Sequence, residues 1–210
     1  DQDLTDVTGV AARLDYYAPA SETLFFAKVL AVDDDPADHP AYGSYERRIG
    51  HVLAGLERKF PGGGYLNGLA GWRREDSTSV AFMSTNGRTV HDQVNLSWPL
   101  GGGFSLEADW KHKDFDGPDY AYSEIRASLA LHRSPGWVAA VLYERSTDPA
   151  VVFATGRRDH WAGQLEVRLA GGHSLRLFAG STKGSVKCAG GVCRLFPPFE
   201  GLRLEVFVRF

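Results

Sequence analysis

Three short stretches of this chain carry residue types that could do chemistry. In "HDQVN", His91, Asp92 and Asn95 stand close together in sequence. General acid or base catalysis needs a histidine held by a carboxylate and within about 3 Å of a nucleophile or an activated water. The surrounding "TVHDQVNLSW" alternates as a strand does, and successive strand side chains point to opposite faces. His91 and Asp92 therefore do not form a catalytic pair, and no catalytic residue is expected.

The second stretch is "DDDPADHP", whose Asp33, Asp34, Asp35 and Asp38 could offer carboxylate oxygens to a hard cation such as calcium. It lacks the spacing and the glycine of an EF-hand loop, so a solvated acidic loop and no metal site is the expectation. The third is Cys188 and Cys193, which bracket "AGGV". Zinc would need two further ligands nearby, and the loop offers none. A local disulfide is the simplest reading, closing a small ring worth about 2 kcal/mol in the loop-entropy model. No cofactor is implied.

The elements that must position these residues read as strands. "VTGVAARLDYY", "TLFFAKVLAV", "YERRIGHVLAGLERKF", "YLNGLAGWRRE", "TVHDQVNLSW", "FSLEADWKHK", "YAYSEIRASLALHR", "WVAAVLYERS", "HWAGQLEVRLA", "SLRLFAGSTK" and "FEGLRLEVFVRF" make eleven segments. Each is about 10 residues or longer, the length of a tilted strand crossing a bilayer, whereas sandwich strands more often have about 5 or 6. Tight turns ("APASE", "PGGG", "PLGGG", "RSPG", "AGG") alternate with longer polar loops near 33–44, 75–88, 113–119, 145–158 and 184–198. With 24 glycines and 12% aromatic residues, the composition also suits many strands and tight turns.

One face of these strands is apolar: Val52, Ala54 and Leu56; Val94, Leu96 and Trp98; Leu129 and Leu131; Leu165 and Val167; Leu202, Leu204, Val206 and Val208. The other carries His51, Glu57, Asn67, Arg73, His91, Gln93, Asn95, Glu107, Asp109, Lys111, Glu124, Arg126, Gln164, Glu166, Arg168, Arg176, Arg203, Glu205 and Arg209. So many charges of both signs would be costly in a dry core, and a wet lumen accommodates them. Strand "TLFFAKVLAV" departs from the pattern, being apolar on both faces; a plug, a partner or a folded-in loop could cover its inner side. Trp98 and Trp137 fall beside tight turns, while Trp72, Trp110 and Trp161 lie toward the long loops, a distribution that reads as two aromatic girdles.

The closing "LRLEVFVRF", apolar at alternate positions and ending on Phe210, resembles the C-terminal β-signal of Gram-negative outer-membrane β-barrel proteins. That resemblance implies an all-β, antiparallel, up-and-down transmembrane barrel over residues 1–210, located in the bacterial outer membrane, with a periplasmic C-terminus and extracellular long loops. It implies outer-membrane lipid and the barrel assembly machinery as partners, the latter through the last strand. The function expected is a passive, porin-like pore or the barrel component of a larger assembly, not an enzyme. Two alternatives stay open: an outer-membrane enzyme with a site at the extracellular rim, and a soluble β-sandwich or lipocalin-like binder.

The net charge of −3 and the interleaved signs give no basic stripe, so nucleic acid is not an expected partner. No run approaches the roughly 18 apolar residues of a membrane-spanning helix, a test nearly blind to barrels. "DQDLTDVTG" does not read as a signal peptide. Complete bacterial barrels have an even strand number, so eleven strands lead to the expectation of a C-terminal part of a larger barrel. Its missing strands would lie upstream of Asp1 or in a companion chain.

Overall fold

The computed structural model describes residues 7–34, 45–79, 86–189 and 192–209. Period-2 patterning resolves into β1 (Val7–Ala18), β2 (Thr23–Asp34), β3 (Tyr45–Lys59), β4 (Tyr65–Ser79), β5 (Gly87–Gly101), β6 (Phe104–Asp116), β7 (Ala121–Arg133), β8 (Trp137–Ser146), β9 (Asp159–Arg168) and β10 (Ser174–Thr182). After these come β11 (Ser185–Ala189), β12 (Val192–Phe196) and β13 (Phe199–Phe207). Eleven strands form one antiparallel sheet in the order β1 to β10 and then β13, so β1 and β13 are its edges. The all-β reading and all eleven strand positions hold.

Several details differ from the sequence reading, among them β4, which runs through Ser79 into the stretch expected as loop. The stretch 145–158 contains a short helix, α1 (Pro149–Thr155), where a loop is expected. Its signals are local: the Asp148 side chain accepts from the Ala150 amide at 2.9 Å, Pro149 opens the first turn, and Gly156 closes it in the left-handed region. The loop expected near 113–119 is largely strand, because β6 continues through Asp116 and leaves only 117–120 as a connection. Phe115 lies 5.4 Å from Tyr120 and 5.2 Å from Tyr122, an aromatic cluster across the two strands that extends the ladder. The final strand stops at Phe207 because its partner β10 begins at Ser174, directly opposite. Beyond it the Arg209 amide donates to the His173 ring instead. Phe210 lies outside the described residues, as do Asp1, Asp35 and Asp38.

The stretch 184–198, read as loop, holds the β11–β12 hairpin, in which Cys188 stands directly opposite Cys193. The side chains of both cysteines are outside the described residues.

The chain divides into two compact units. Unit 1 comprises Asp1–Lys59, Asn67–Gln93 and Lys113–Tyr122, and unit 2 comprises Phe60–Leu66, Val94–His112 and Ser123–Phe210. Within unit 1, register aligns Val10, Ala31 and Gly50; Ala12, Val29 and Val52; Leu14, Ala27 and Ala54; Tyr16, Phe25 and Leu56. Those four rows are apolar, aromatic or glycine; the same face ends in Thr8, Asp33 and Arg48 on one side and in Thr23 and Arg58 on the other. Within unit 2, the matching rows are Val141 with Gly163 and Ala179; Ala139 with Leu165 and Leu177; Trp137 with Val167 and Leu175, continued by Leu202, Leu204 and Val206 of β13.

These apolar faces are uncovered. Val10 is 71% exposed, Leu14 73% and Leu202 70%. Among the described residues the buried apolar side chains are Ala162 and Phe178, while Thr23, Glu144, Ser146, His160 and Ser181 are buried polar ones. Burial in this chain is inverted relative to a water-soluble core, which sequesters Leu, Ile and Val and leaves charges outside.

Candidate functional site

The polar face of unit 2 is the most organised part of the molecule. Antiparallel register stacks Glu124 beside Ser146, Arg126 beside Glu144, Glu144 beside His160, Glu166 beside Arg176, and Arg176 beside Glu205. Alternation alone puts these residues on one face; hydrogen-bonded pairing then brings opposite charges side by side.

Two ion-pair clusters result. At one end of β9, β10 and β13, the Arg176 guanidinium donates to Glu166 Oε2 at 2.8 Å and to Glu205 Oε2 at 3.2 Å. Arg203 reaches Glu205 at 3.2 Å and also lies over the rings of Phe178 and Phe199, 5.4 and 5.3 Å from their centroids. Charge-assisted pairing and cation–π contact thus act together on both arginines, Arg176 lying 5.0 Å from the Phe207 centroid as well. At the opposite end of these strands, Lys183 pairs with Glu124, whose Oε1 also accepts from the Ser146 hydroxyl at 3.3 Å. Glu144 accepts from the Lys183 amide at 3.2 Å and lies 3.8 Å from Arg126.

The other polar positions named by the sequence are partly gathered into pairs. In unit 1, His51 Nε2 meets His91 Nε2 at 3.0 Å, and Arg73 pairs with Glu75. The partner of His91 is therefore another histidine 40 residues away. In unit 2, Asn95 donates to Asp109 at 2.8 Å and His132 lies 3.0 Å from Glu107. Gln164 stands opposite Phe178, and Arg168 opposite Ser174. Glu57 stands opposite Leu24, on the face shared by Lys28 and His51. Asn67, Gln93 and Lys111 lie within β4, β5 and β6.

Sequence reading missed Glu144, Ser146, His160 and Lys183. Parity could have found the first two, since Glu144 and Ser146 continue the row of Val138, Ala140 and Leu142 in β8. Lys183 could not be found this way, because it sits just past the end of β10 and reaches a carboxylate 59 residues away.

The five tryptophans lie on the strands, with Trp72, Trp98, Trp110 and Trp161 exposed. Trp98 packs on Phe60 at 5.2 Å, Trp137 on Phe104 at 6.2 Å, and Trp161 on Tyr143 at 4.4 Å. Such pairs fix large rings on an open sheet surface.

Among the described residues no cluster of three or more His, Cys, Asp or Glu has the arrangement of a metal site. No helix among them is long and apolar enough to cross a membrane, which leaves strand-borne spanning untouched. No protein-family model, no curated protein and no solved structure matches the chain.

Proposed function

We propose that this chain is a transmembrane β-barrel segment of the bacterial outer membrane, acting as a pore or as the barrel component of a larger assembly. One observation carries the reading: continuous apolar rows lie exposed in both units, while the opposite face holds paired charges and buried polar side chains. Fully burying a Leu or Val side chain is worth about 2 kcal/mol, so leaving rows of them in water forfeits much of what folding must supply. Lipid removes that cost and reverses the usual logic of which face is polar.

Strand length supports the same reading, since the eleven strands of the sheet have 9 to 15 residues and a tilted membrane strand needs about 9–11. So does the presence of exposed tryptophans at several strand positions, the residues favoured at membrane interfaces. In this reading the long connections face outward from the cell, the β-signal in β13 engages the assembly machinery, and outer-membrane lipid covers the apolar rows.

Lipid also forbids free strand edges, because each unpaired amide or carbonyl there costs several kcal/mol. β1 and β13 are both edges of the sheet. With all neighbours antiparallel, an eleven-strand series begins and ends in the same direction, so antiparallel closure takes an odd number of further strands. We assign these to the same gene product or to a companion chain. Opposite charges alternate across the polar face, so their fields largely cancel and a pore lined by them discriminates weakly by charge.

The test is detergent dependence followed by planar-bilayer recording on the full gene product. Aggregation without detergent and ohmic steps with a reversal potential near zero in a salt gradient are expected. A monodisperse, detergent-free protein would overturn the membrane reading. Inserted protein with strong anion or cation selectivity would overturn the assignment of the mixed-charge face to the lumen.

A further inference from the structure

The polar face of unit 2 carries a cavity of about 260 Å³ beside the base of the β11–β12 hairpin. Register explains its lining. Gln164, Phe178 and Arg203 form one row across β9, β10 and β13, and Arg126 and Glu144 stand opposite each other on β7 and β8. Between these rows run Leu142, Ala162, Gly180 and Gly201, whose small members leave room above the backbone. All of them share strand parity, so the side chains of Arg126, Leu142, Gln164 and Arg203 stand on the side of the sheet that the cavity occupies.

The cavity offers donors that lack acceptors. Arg126 makes no side-chain hydrogen bond among the described residues, and the Glu144 carboxylate is 3.8 Å away. Glu144 is itself held elsewhere, accepting from the Lys183 amide at 3.2 Å. The half-buried Gln164 likewise makes no side-chain hydrogen bond among the described residues. Arg203 engages Glu205 through Nε at 3.2 Å, which leaves its terminal nitrogens as donors. The Arg126 and Arg203 side chains are 43% and 47% exposed, so a solute can reach both. Two guanidiniums against the single carboxylate of Glu144 leave this lining with one positive charge in excess. Leu142, Pro198 and Phe199 complete the wall with apolar surface. The matching ligand has one carboxylate, the planar acceptor that a guanidinium fork suits, joined to an apolar body.

We propose that this cavity binds a small monocarboxylate of benzoate type, its carboxylate on the Arg126 fork and its apolar body against Leu142, Pro198 and Phe199. Gln164 offers its amide to the same ligand, and Arg203 adds positive charge from the β13 side. The site lies wholly within unit 2, so it stands whether or not the sheet lies in lipid. One surplus charge confined to a cavity leaves the mixed field of the whole face nearly unchanged.

Fluorine NMR of 4-fluorobenzoate with the purified full gene product in detergent, referenced to empty micelles, tests the site. The protein should broaden the signal beyond the micelle value, and excess benzoate should reverse the broadening. Acetate, which lacks the apolar body, and benzamide, which lacks the charge, should compete about tenfold less well than benzoate. Arg126→Gln should weaken binding about tenfold, the scale of one charge-assisted hydrogen bond, and Gln164→Leu should weaken it severalfold. No protein-dependent broadening, competition by acetate or benzamide equal to that of benzoate, or full binding by a folded Arg126→Gln protein would each overturn the proposal. If Arg126→Gln does not fold, undiminished binding by Gln164→Leu would do the same.

Discussion

Each unit has an apolar face, and the two differ in the face opposite it. In both, one side of the sheet carries successive rows of apolar residues. In unit 2 the other side is knitted by charge: Arg176 lies between Glu166 and Glu205, and Glu124 accepts from both Lys183 and Ser146. In unit 1 the corresponding side of β1, β2 and β3 is largely apolar. It has rows of Gly9, Val32 and Ile49, then Ala11, Leu30 and His51, with Arg13 folded over Phe26 at 5.2 Å. Unit 2 pairs the charges of its polar face within itself, whereas the apolar rows on the corresponding face of unit 1 remain partly open to solvent. The difference teaches that alternation sets which residues share a face, while pairing across strands decides whether that face is self-sufficient.

The largest test of that contrast is steric. Gly180 of β10 has φ +131°, and a Cβ there would sit 2.2 Å from the Trp161 carbonyl oxygen and 2.6 Å from Ala162 Cα. Backbone cannot step aside as a side chain can. Gly180→Val should cost about 3 kcal/mol or more, through strain and lost pairing. Gly50 of β3, in unit 1, has open space where its Cβ would lie, so Gly50→Val should change stability by less than about 0.5 kcal/mol. Thermal unfolding of each variant, followed by circular dichroism in detergent, measures both, and equal losses would erase the distinction.

A smaller effect comes from charge. Arg176→Met leaves Glu166 and Glu205 facing one another, and a loss of about 2 kcal/mol is expected after allowing for partial exposure. Arg13 pairs with Asp15 at 2.8 Å with both side chains about half exposed, so Arg13→Met should cost under about 0.5 kcal/mol from the ion pair. Chemical denaturation at low and high salt separates these, since the Arg176 deficit should persist in salt and the Arg13 deficit should vanish.

The smallest effect is chemical and confined to one hairpin. Cys188 and Cys193 occupy opposed positions in the β11–β12 ladder, where Cα atoms stand about 4.5–5.5 Å apart, within disulfide reach. The non-reduced peptide should show a loss of two hydrogens by mass spectrometry. Its reduction should leave the unfolding midpoint of the sheet nearly unchanged, and free thiols in the untreated protein would contradict the pairing.

The sequence by itself determined the strand positions, because a period of 2 over ten or more residues admits few alternatives and the glycine-rich turns punctuate it. It determined also which residues share a face: Arg176, Glu166 and Glu205 separate from Leu175, Val167 and Val206 by parity alone. The helix over Pro149–Thr155 was legible in "DPAVVFATG" from its Asp cap, first-turn Pro and closing Gly, but apolar periodicity over so few residues is too weak to read. Only the tertiary structure decided who pairs with whom. The meeting of His51 with His91, the reach of Lys183 to Glu124 and the sealing of His160 beside α1 depend on register between strands and on how a loop folds back. Parity within one strand carries no information about its neighbour's offset, so those contacts exist only once the ladder is set.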